Sequence, residues 1–358
     1  MPRLPTSAIL RAYQKDHLLP LLLQECRTHD SAQNELRWLR EWAVLKFAQR
    51  KPRLGATAHS KIQGWRSHLR AICRKRARGV PLQYILGDQP FGDLEIICRK
   101  GVLIPRYETE SYVVRTADWI LDNMRHTPQS VAGSKSELGS LRILDLCTGT
   151  GCIPLLLHAL LAPHFKDLDI LGIDLSPTAV RLAMTNLRHN MAIGALQSRA
   201  ITDLRFRQGD VLGRRATDIP SVEDILGCAN TNSLHNNSDH TSEDSHKWDV
   251  LISNPPYISP VAFRDGTTSR SVRTYEPRLA LVPPTSSSCH IKQSIDVLPQ
   301  EDTFYPSLLS LSFKLHVRLT VLECGDPQQA QRIVRLAESF GTAQYGHGHF
   351  EMVLGLSF

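Results

Sequence analysis

The chain has 358 residues, 42% hydrophobic and 22% charged, with a net charge of +7, enough to bury a large core and a smaller second one. No apolar run approaches the roughly 18 residues a membrane span needs, so no membrane span is expected. The 8 cysteines lack any C-x-x-C or Cys/His ligand spacing, so they read as reduced intracellular thiols with no metal site, while the positive excess suits an anionic partner or a mitochondrial matrix protein equally.

Residues 1–14 carry Arg3 and Arg11 and no acid, as a mitochondrial transit peptide or a short basic tail would. From Ser31, Leu36, Leu39, Ala43 and Phe47 recur at helical spacing, and Trp65, Leu69, Ile72 and Cys73 predict a second helix. That helix bears Arg66, Arg70 and Arg74 on another face, followed by Lys75, Arg76 and Arg78, which is either a docking stripe or a solvated surface. Residues 1–80 are therefore expected to form a helical domain. Residues 81–110 read as a β-hairpin-like junction, with strand-like pieces at Leu94–Ile97 and Val102–Ile104, and a helix follows through Val113, Ala117 and Ile120.

Residues 111–358 predict an α/β domain. Leu141–Leu146 is a buried strand running into Cys147, Thr148, Gly149, Thr150 and Gly151, a small-residue turn whose glycines let backbone N–H groups approach a ligand. The next strand, Leu168–Ile173, ends in Asp174, where a carboxylate can accept both hydroxyls of a ribose, and Ser176-Pro177 opens a helix. A third strand near Leu204–Arg207 leads to Asp210 and Val211; the acid either accepts an adenine amino group, with its neighbour against the ring, or caps the chain after the strand. The ordered set points to an adenosine-containing cofactor. Residues 213–246, rich in Asn, Ser, Asp and His, are expected to be a disordered insertion, and residues 285–301 are a second polar stretch.

A fourth strand, Val250–Ile252, stops at Ser253-Asn254-Pro255-Pro256-Tyr257. The prolines remove donors and fix φ, leaving the Asn254 side-chain oxygen and the Pro255 carbonyl as a stiff row of acceptors matched to a planar –NH2 group. Alternation at Leu315, Val317, Leu319 and Val321 predicts a fifth strand, followed by a helix over 328–339 and a last strand over 350–356.

Ile104-Pro105-Arg106-x-x-Thr109-Glu110, Leu144-Asp145-Leu146-x-Thr148-Gly149-Thr150-Gly151, Asp174, Asn254-Pro255-Pro256-Tyr257 and Glu276-Pro277-x-x-Ala280-Leu281 together resemble the HemK/PrmC protein glutamine N5-methyltransferases. The resemblance runs from about Pro81 to Leu281, and more faintly through Leu322-Glu323. It implies a class I methyltransferase fold, a Rossmann-like seven-stranded sheet, with a small helical amino-terminal domain that helps recognise the protein substrate. It further implies S-adenosylmethionine held by Cys147 through Gly151, with Asp174 on the ribose and Asp210 and Val211 at the adenine. The Asn254–Tyr257 turn would lie on the target amide, with Tyr257 packed against it. Cys147 stands where the family usually has glycine, and Val211 where an aromatic ring often covers adenine.

The implied reaction is methylation of the glutamine in the Gly-Gly-Gln motif of a class I peptide chain release factor during translation termination. The mitochondrial factor is the expected substrate, and the location is mitochondrial or otherwise cytoplasmic. A nucleic-acid amino methyltransferase, acting on adenine N6 or guanine N2, would use the same turn on a flipped base. No separate target-recognition module is evident, so no stable nucleic-acid complex is expected. A nicotinamide-dependent dehydrogenase would share the glycine turn and Asp174 but leave Asn254–Tyr257 unexplained, and a non-catalytic binder would have no use for that turn. The oligomeric state is not legible in the sequence.

Overall fold

The computed structural model describes residues 3–49, 58–125, 138–214, 218–231, 248–285 and 298–344. The elements in chain order are α1 (Thr6–Lys15), α2 (Leu19–Cys26), α3 (His29–Ala48), α4 (Ala58–Ala77), α5 (Leu82–Leu86), β1 (Asp88–Phe91), β2 (Leu94–Ile97) and α6 (Tyr107–Arg125). Then come β3 (Leu138–Leu146), α7 (Cys152–Leu161), β4 (Phe165–Asp174), α8 (Pro177–Ala192), α9 (Ala200–Asp203), β5 (Leu204–Gln208) and α10 (Val222–Thr231). The last are β6 (Val250–Ser253), α11 (Pro260–Arg264), α12 (Arg270–Tyr275), α13 (Tyr305–Lys314), β7 (Leu319–Leu322) and α14 (Pro327–Gln344). The chain divides into two compact units.

The helical unit comprises residues 1–88, 98–100 and 264–276. Leu22, Leu23, Leu36, Leu39, Leu69 and Ile72 of α2, α3 and α4 bury one another. Leu4, Ala8 and Ala12 pack into that core at four-residue spacing, so the segment read as a transit peptide or basic tail is a docked helix in this structure. Arg76 and Glu35, almost buried, form a two-pronged ion pair at 2.7 and 3.0 Å. The unit also takes in α12, through Ser271 Oγ donating to the Gly79 carbonyl at 2.6 Å and an Arg270–Glu25 ion pair at 3.0 Å. Arg66, Arg70 and Arg74 are exposed along α4, opposite Leu69, Ile72 and Cys73.

The α/β unit is built on a five-stranded parallel sheet in the order β5-β4-β3-β6-β7. Because β3 is first in sequence yet central, the chain winds outward in both directions and leaves a switch point between β3 and β6. Residues on β3 alternate between two cores: Leu141 and Ile143 face α6, α7 and α8, whereas Leu144 and Leu146 face α10, α13 and α14. Among the described residues the sheet has 5 strands, not the seven the resemblance implies, and the expected strand at 350–356 lies outside them. Val102–Ile104 is not a strand: Val102 packs on Ala179 and Leu182 of α8, and Pro105 next in line lacks a donor. Leu315 and Val317 also fall outside the fifth strand, since α13 runs to Lys314 and His316 turns the chain at φ 52 before β7 begins.

The β1–β2 hairpin is held without a third strand. Asn190 accepts the Glu95 N–H and donates to its carbonyl, both at 3.0 Å, and Asn186 does the same at Ile97 at 2.8 and 3.3 Å. Two helix asparagines thus complete the ladder of an edge strand that would otherwise be open.

The expected disordered insertion at 213–246 is corrected by α10. Its Val222 and Leu226 are buried against the sheet core, and the Asp210 N–H donates to the Pro220 carbonyl at 2.9 Å. The run Val222, Ile225, Leu226 supplies apolar spacing of one helical turn, which the polar average of the segment hides. Residues 215–217 and 232–247 lie outside the described residues. Leu226→Ala is expected to lower unfolding free energy by about 2–5 kcal/mol, the range for emptying a buried leucine site. Urea titration measures it, and an unchanged midpoint would mean that α10 contributes nothing to the core.

Candidate active site

Strand register decides which residues meet. Leu146 pairs with Ile173 on one side and with Ser253 on the other, and Ser253 pairs with Leu322. The residues that follow, Cys147, Asp174, Asn254 and Glu323, therefore emerge together at the carboxyl edge of the sheet. Ser253 Oγ ties β6 to β3 by donating to the Leu146 carbonyl at 2.7 Å.

The turn after β3 is wound by left-handed backbone at Cys147 (φ 64), Gly149 (φ 55) and Gly151 (φ 79). The φ of Cys147 explains why a glycine is the usual residue at that point in the related family. Thr148 N donates to the Ile173 carbonyl at 3.0 Å, and Gly151 N to that of Thr148 at 2.8 Å. Asp174 clamps the turn from β4, with Oδ2 accepting Gly149 N and Oδ1 accepting Ser176 N, each at 2.8 Å. Each carboxylate oxygen keeps a lone pair for a further donor. Burial pushes this carboxyl above its usual range, against the lowering effect of those two N–H groups.

An open cavity of about 1050 Å³, counted out to its mouth, lies over this edge. Cys147, Thr148, Gly149, Thr150, Asp174, Asp210, Val211, Asn254 and Pro256 line it, with Ile104, Pro105, Arg106 and Thr109 of the junction and Pro277, Leu279 and Ala280. Gly151, Pro255 and Tyr257 are absent from the lining. Gly151 packs against Ala183 and Phe206, Pro255 is buried, and Tyr257 sends its hydroxyl to Glu323 at 2.9 Å instead of presenting its ring to the cavity. Asp210 is buried, accepts Leu212 N at 3.0 Å and pairs with Arg214 at 2.9 Å, so its carboxylate is partly engaged from within the chain.

Three polar groups that sequence reasoning gave no role sit beside these residues. Asp145 is fully buried, and among the described residues neither its oxygens nor the nearby Thr148 hydroxyl has a hydrogen-bond partner. Burial pushes the Asp145 carboxyl up to about 8; the Thr148 hydroxyl, outside bonding geometry, offsets only part of this, and the Asp174 charge adds to it. Thr109 and Glu323 are also buried, and Asn254 Nδ2 donates to Thr109 Oγ1 at 3.3 Å while Thr109 Oγ1 donates to Glu323 Oε2 at 2.8 Å. Burial raises the Glu323 carboxyl, and the Thr109 and Tyr257 hydroxyls pull it back. The signal for Thr109 and Glu323 was their place in the Pro-Arg-x-x-Thr-Glu and Leu-Glu segments, which named no partner for either.

Asp145 gives stability a pH dependence of known sign. Its ordinary value is 3.8 and its folded value about 8, so between them the folded chain keeps a proton that the unfolded chain has released. Stability therefore falls as pH rises through that window, by up to about 1.4 kcal/mol per pH unit. Asp145→Asn, which cannot ionise, is expected to flatten this slope in chemical denaturation between pH 5 and pH 8; equal slopes in both proteins would rule out a neutral Asp145.

The chain is 33% identical over 308 residues to the mitochondrial MRF1 N(5)-glutamine methyltransferase MTQ1 of Saccharomyces cerevisiae, covering 85% of this chain and 75% of that one. It is 34% identical to the probable MRF1 mitochondrial N(5)-glutamine methyltransferase mtq1 of Schizosaccharomyces pombe, covering 78% and 73%. With the release factor glutamine methyltransferase of Chlorobaculum tepidum it shares 33% identity, covering 69% and 66%. A solved structure, the N-terminal domain of human METTL16, matches 75% of this chain and 73% of its own at 17% identity and a TM-score of 0.39. No protein-family model matches the chain. A third of the residues shared with the two yeast enzymes, across roughly three quarters of their lengths, means that the chain belongs to the HemK/PrmC family of release factor glutamine N5-methyltransferases.

Proposed function

We propose that the protein transfers a methyl group from S-adenosylmethionine to the side-chain amide nitrogen of a release-factor glutamine, in the Gly-Gly-Gln motif of a mitochondrial class I factor. Relatives named release factor glutamine methyltransferases support the reaction, and the two yeast relatives named mitochondrial support the location. The observation that carries the reading is the Asn254 carboxamide, which lines the cavity beside the glycine turn with its Nδ2 already engaged by Thr109 and its oxygen left as an acceptor.

The chain's own groups fit the methyl donor. Gly149, with open space where a Cβ would stand, and Thr148, with a buried unpartnered hydroxyl, offer a close-approach surface and a donor. Asp174 would hold the ribose hydroxyls with its remaining lone pairs. Asp210 and Val211 would flank the adenine, and Cys147 through Thr150 would line the path between, with Gly151 packed beneath them. When bound, S-adenosylmethionine supplies a methyl group made electrophilic by its sulfonium.

A carboxamide nitrogen is a poor nucleophile because its lone pair is delocalised into the carbonyl. The Asn254 side-chain oxygen can accept an N–H proton of the amide, holding the nitrogen in line and drawing its electron density toward attack, whereas the Pro255 carbonyl, expected to take the second proton, lies outside the cavity lining. As the nitrogen–methyl bond forms and the methyl–sulfur bond breaks, the positive charge would pass from sulfur to nitrogen, where an accepting oxygen stabilises it more strongly than the neutral ground state, and the surplus N–H proton would then leave to solvent at the cavity mouth. No nucleophilic side chain is required. A glutamine flanked by glycines can enter a narrow cavity without side-chain obstruction.

Labelled cofactor offered with either a release factor or nucleic acid separates this reading from the base-methylating alternative. Label is expected on the release factor and lost when its loop glutamine is changed to alanine; label on DNA or RNA alone would overturn the assignment. Asp174→Ala is expected to weaken cofactor binding by about 1–3 kcal/mol, the scale for hydrogen bonds to a charged group. Calorimetry measures that loss, and an unchanged Kd would put the ribose elsewhere.

A further inference from the structure

We propose that Thr109 and Glu323 are positioning residues that fix which way the Asn254 carboxamide faces, through a relay of hydrogen-bond polarity. The inference deepens the reading above and rests on Asn254 being the group that holds the target amide.

Glu323 is 4% exposed and accepts two hydroxyl protons, from Tyr257 to Oε1 at 2.9 Å and from Thr109 to Oε2 at 2.8 Å. With both carboxyl oxygens acting as acceptors of these hydroxyls, the single Thr109 proton is committed to Glu323. Thr109 Oγ1 can then only accept from its other neighbour, and that neighbour is the Asn254 side chain at 3.3 Å. An amide that must offer a donor to Thr109 turns its NH2 that way and its oxygen the other way. Reversed, the amide would present NH2 to the –NH2 of a substrate, two donors facing one another.

The surroundings lock this arrangement. Thr109 is 2% exposed, so water does not compete for its hydroxyl. Glu323 is itself anchored, its N–H donating to the Ser253 carbonyl at 3.0 Å and its carbonyl accepting the Tyr305 hydroxyl at 2.9 Å. The Thr109 of the Ile-Pro-Arg-x-x-Thr-Glu segment thus acquires a role that needs no contact with either substrate.

Two near-isosteric changes test the relay. Thr109→Val removes the hydroxyl. Glu323→Gln, with the Tyr257 hydroxyl still donating to its oxygen, turns an NH2 toward Thr109 and frees the threonine proton to point at Asn254. Each is expected to lower kcat on the order of 10²-fold, the scale of a misplaced reacting group, at unchanged cofactor Kd and folded thermal behaviour. Thr109→Ser, which keeps the hydroxyl, recovers most of the rate. The side-chain amide resonance of Asn254, identified by its loss in Asn254→Ala, is expected to shift in Thr109→Val and Glu323→Gln and to hold in Thr109→Ser. Wild-type rates in both near-isosteric variants, or a rate loss with an unmoved Asn254 resonance, would overturn the relay. If the unaltered protein does not methylate a release factor, the functional reading fails, and the resonance alone decides the relay: shifted supports it, unmoved overturns it.

Discussion

Asn254→Ala is expected to lower methyl transfer by about 10²–10³-fold, the loss seen when one positioned hydrogen-bonding group is taken from a reacting centre. The side chain follows β6, lines the cavity, and among the described residues makes one hydrogen bond, a long one to Thr109. Its removal should cost about 1 kcal/mol of stability, so the variant stays folded. Asp174 and the glycine turn are untouched, and cofactor affinity should change little. Steady-state kinetics together with calorimetry separate the two effects, and a kcat near that of the unaltered protein would remove Asn254 from the mechanism.

Gly151→Ala should act in the opposite way, through the fold. Gly151 sits at φ 79, and a Cβ built there would stand 2.9 Å from Ala183 Cβ and 3.2 Å from the Phe206 ring. Left-handed backbone costs a non-glycine residue about 1–2 kcal/mol, and forcing a methyl into packed surroundings costs about 1–3 more. The substitution is expected to lower unfolding free energy by about 2–5 kcal/mol and to loosen the start of α7 beneath the turn. Gly149→Ala is the contrast: the same backbone strain applies at φ 55, but nothing crowds the added methyl. Equal losses for the two alanines would show that packing at Gly151 contributes nothing.

The sequence made legible what depends on local pattern. Alternation and apolar runs located β3, β4, β5 and β6, and helical spacing located α3, α4, α8 and α14. Asp174 and Asn254 were found because each ends a strand, and the ends of parallel strands share one edge. What local pattern could not supply was anything set by partners distant in the chain. The Thr109–Glu323 bond joins residues 214 positions apart, so neither side chain could be given a role beforehand. Asn186 and Asn190 read as ordinary helix polars, although they complete the edge of β2. α10 was hidden because a single helical turn of Val222, Ile225 and Leu226 lies inside a polar stretch whose average excluded it. Tyr257 was expected against the substrate amide, and its bond to Glu323 follows from the approach of β7 to β6, which the turn sequence does not encode.

The Asp145 carboxyl also bears on how the site is assayed. With its value pushed up to about 8 it keeps its proton at neutral pH, so the buried end of β3 carries one negative charge fewer than the sequence counts. Asp174 and Asp210 are the acids that line the cavity.

The account stands most directly on where the methyl group goes. A release factor incubated with the enzyme and S-adenosylmethionine, digested and sequenced by mass spectrometry, is predicted to carry one added methyl on the side-chain nitrogen of the glutamine in its Gly-Gly-Gln peptide, and only a trace of it in the same time when Asn254→Ala replaces the enzyme. A methyl group on any other residue, or an unmodified factor beside methylated nucleic acid, would contradict it.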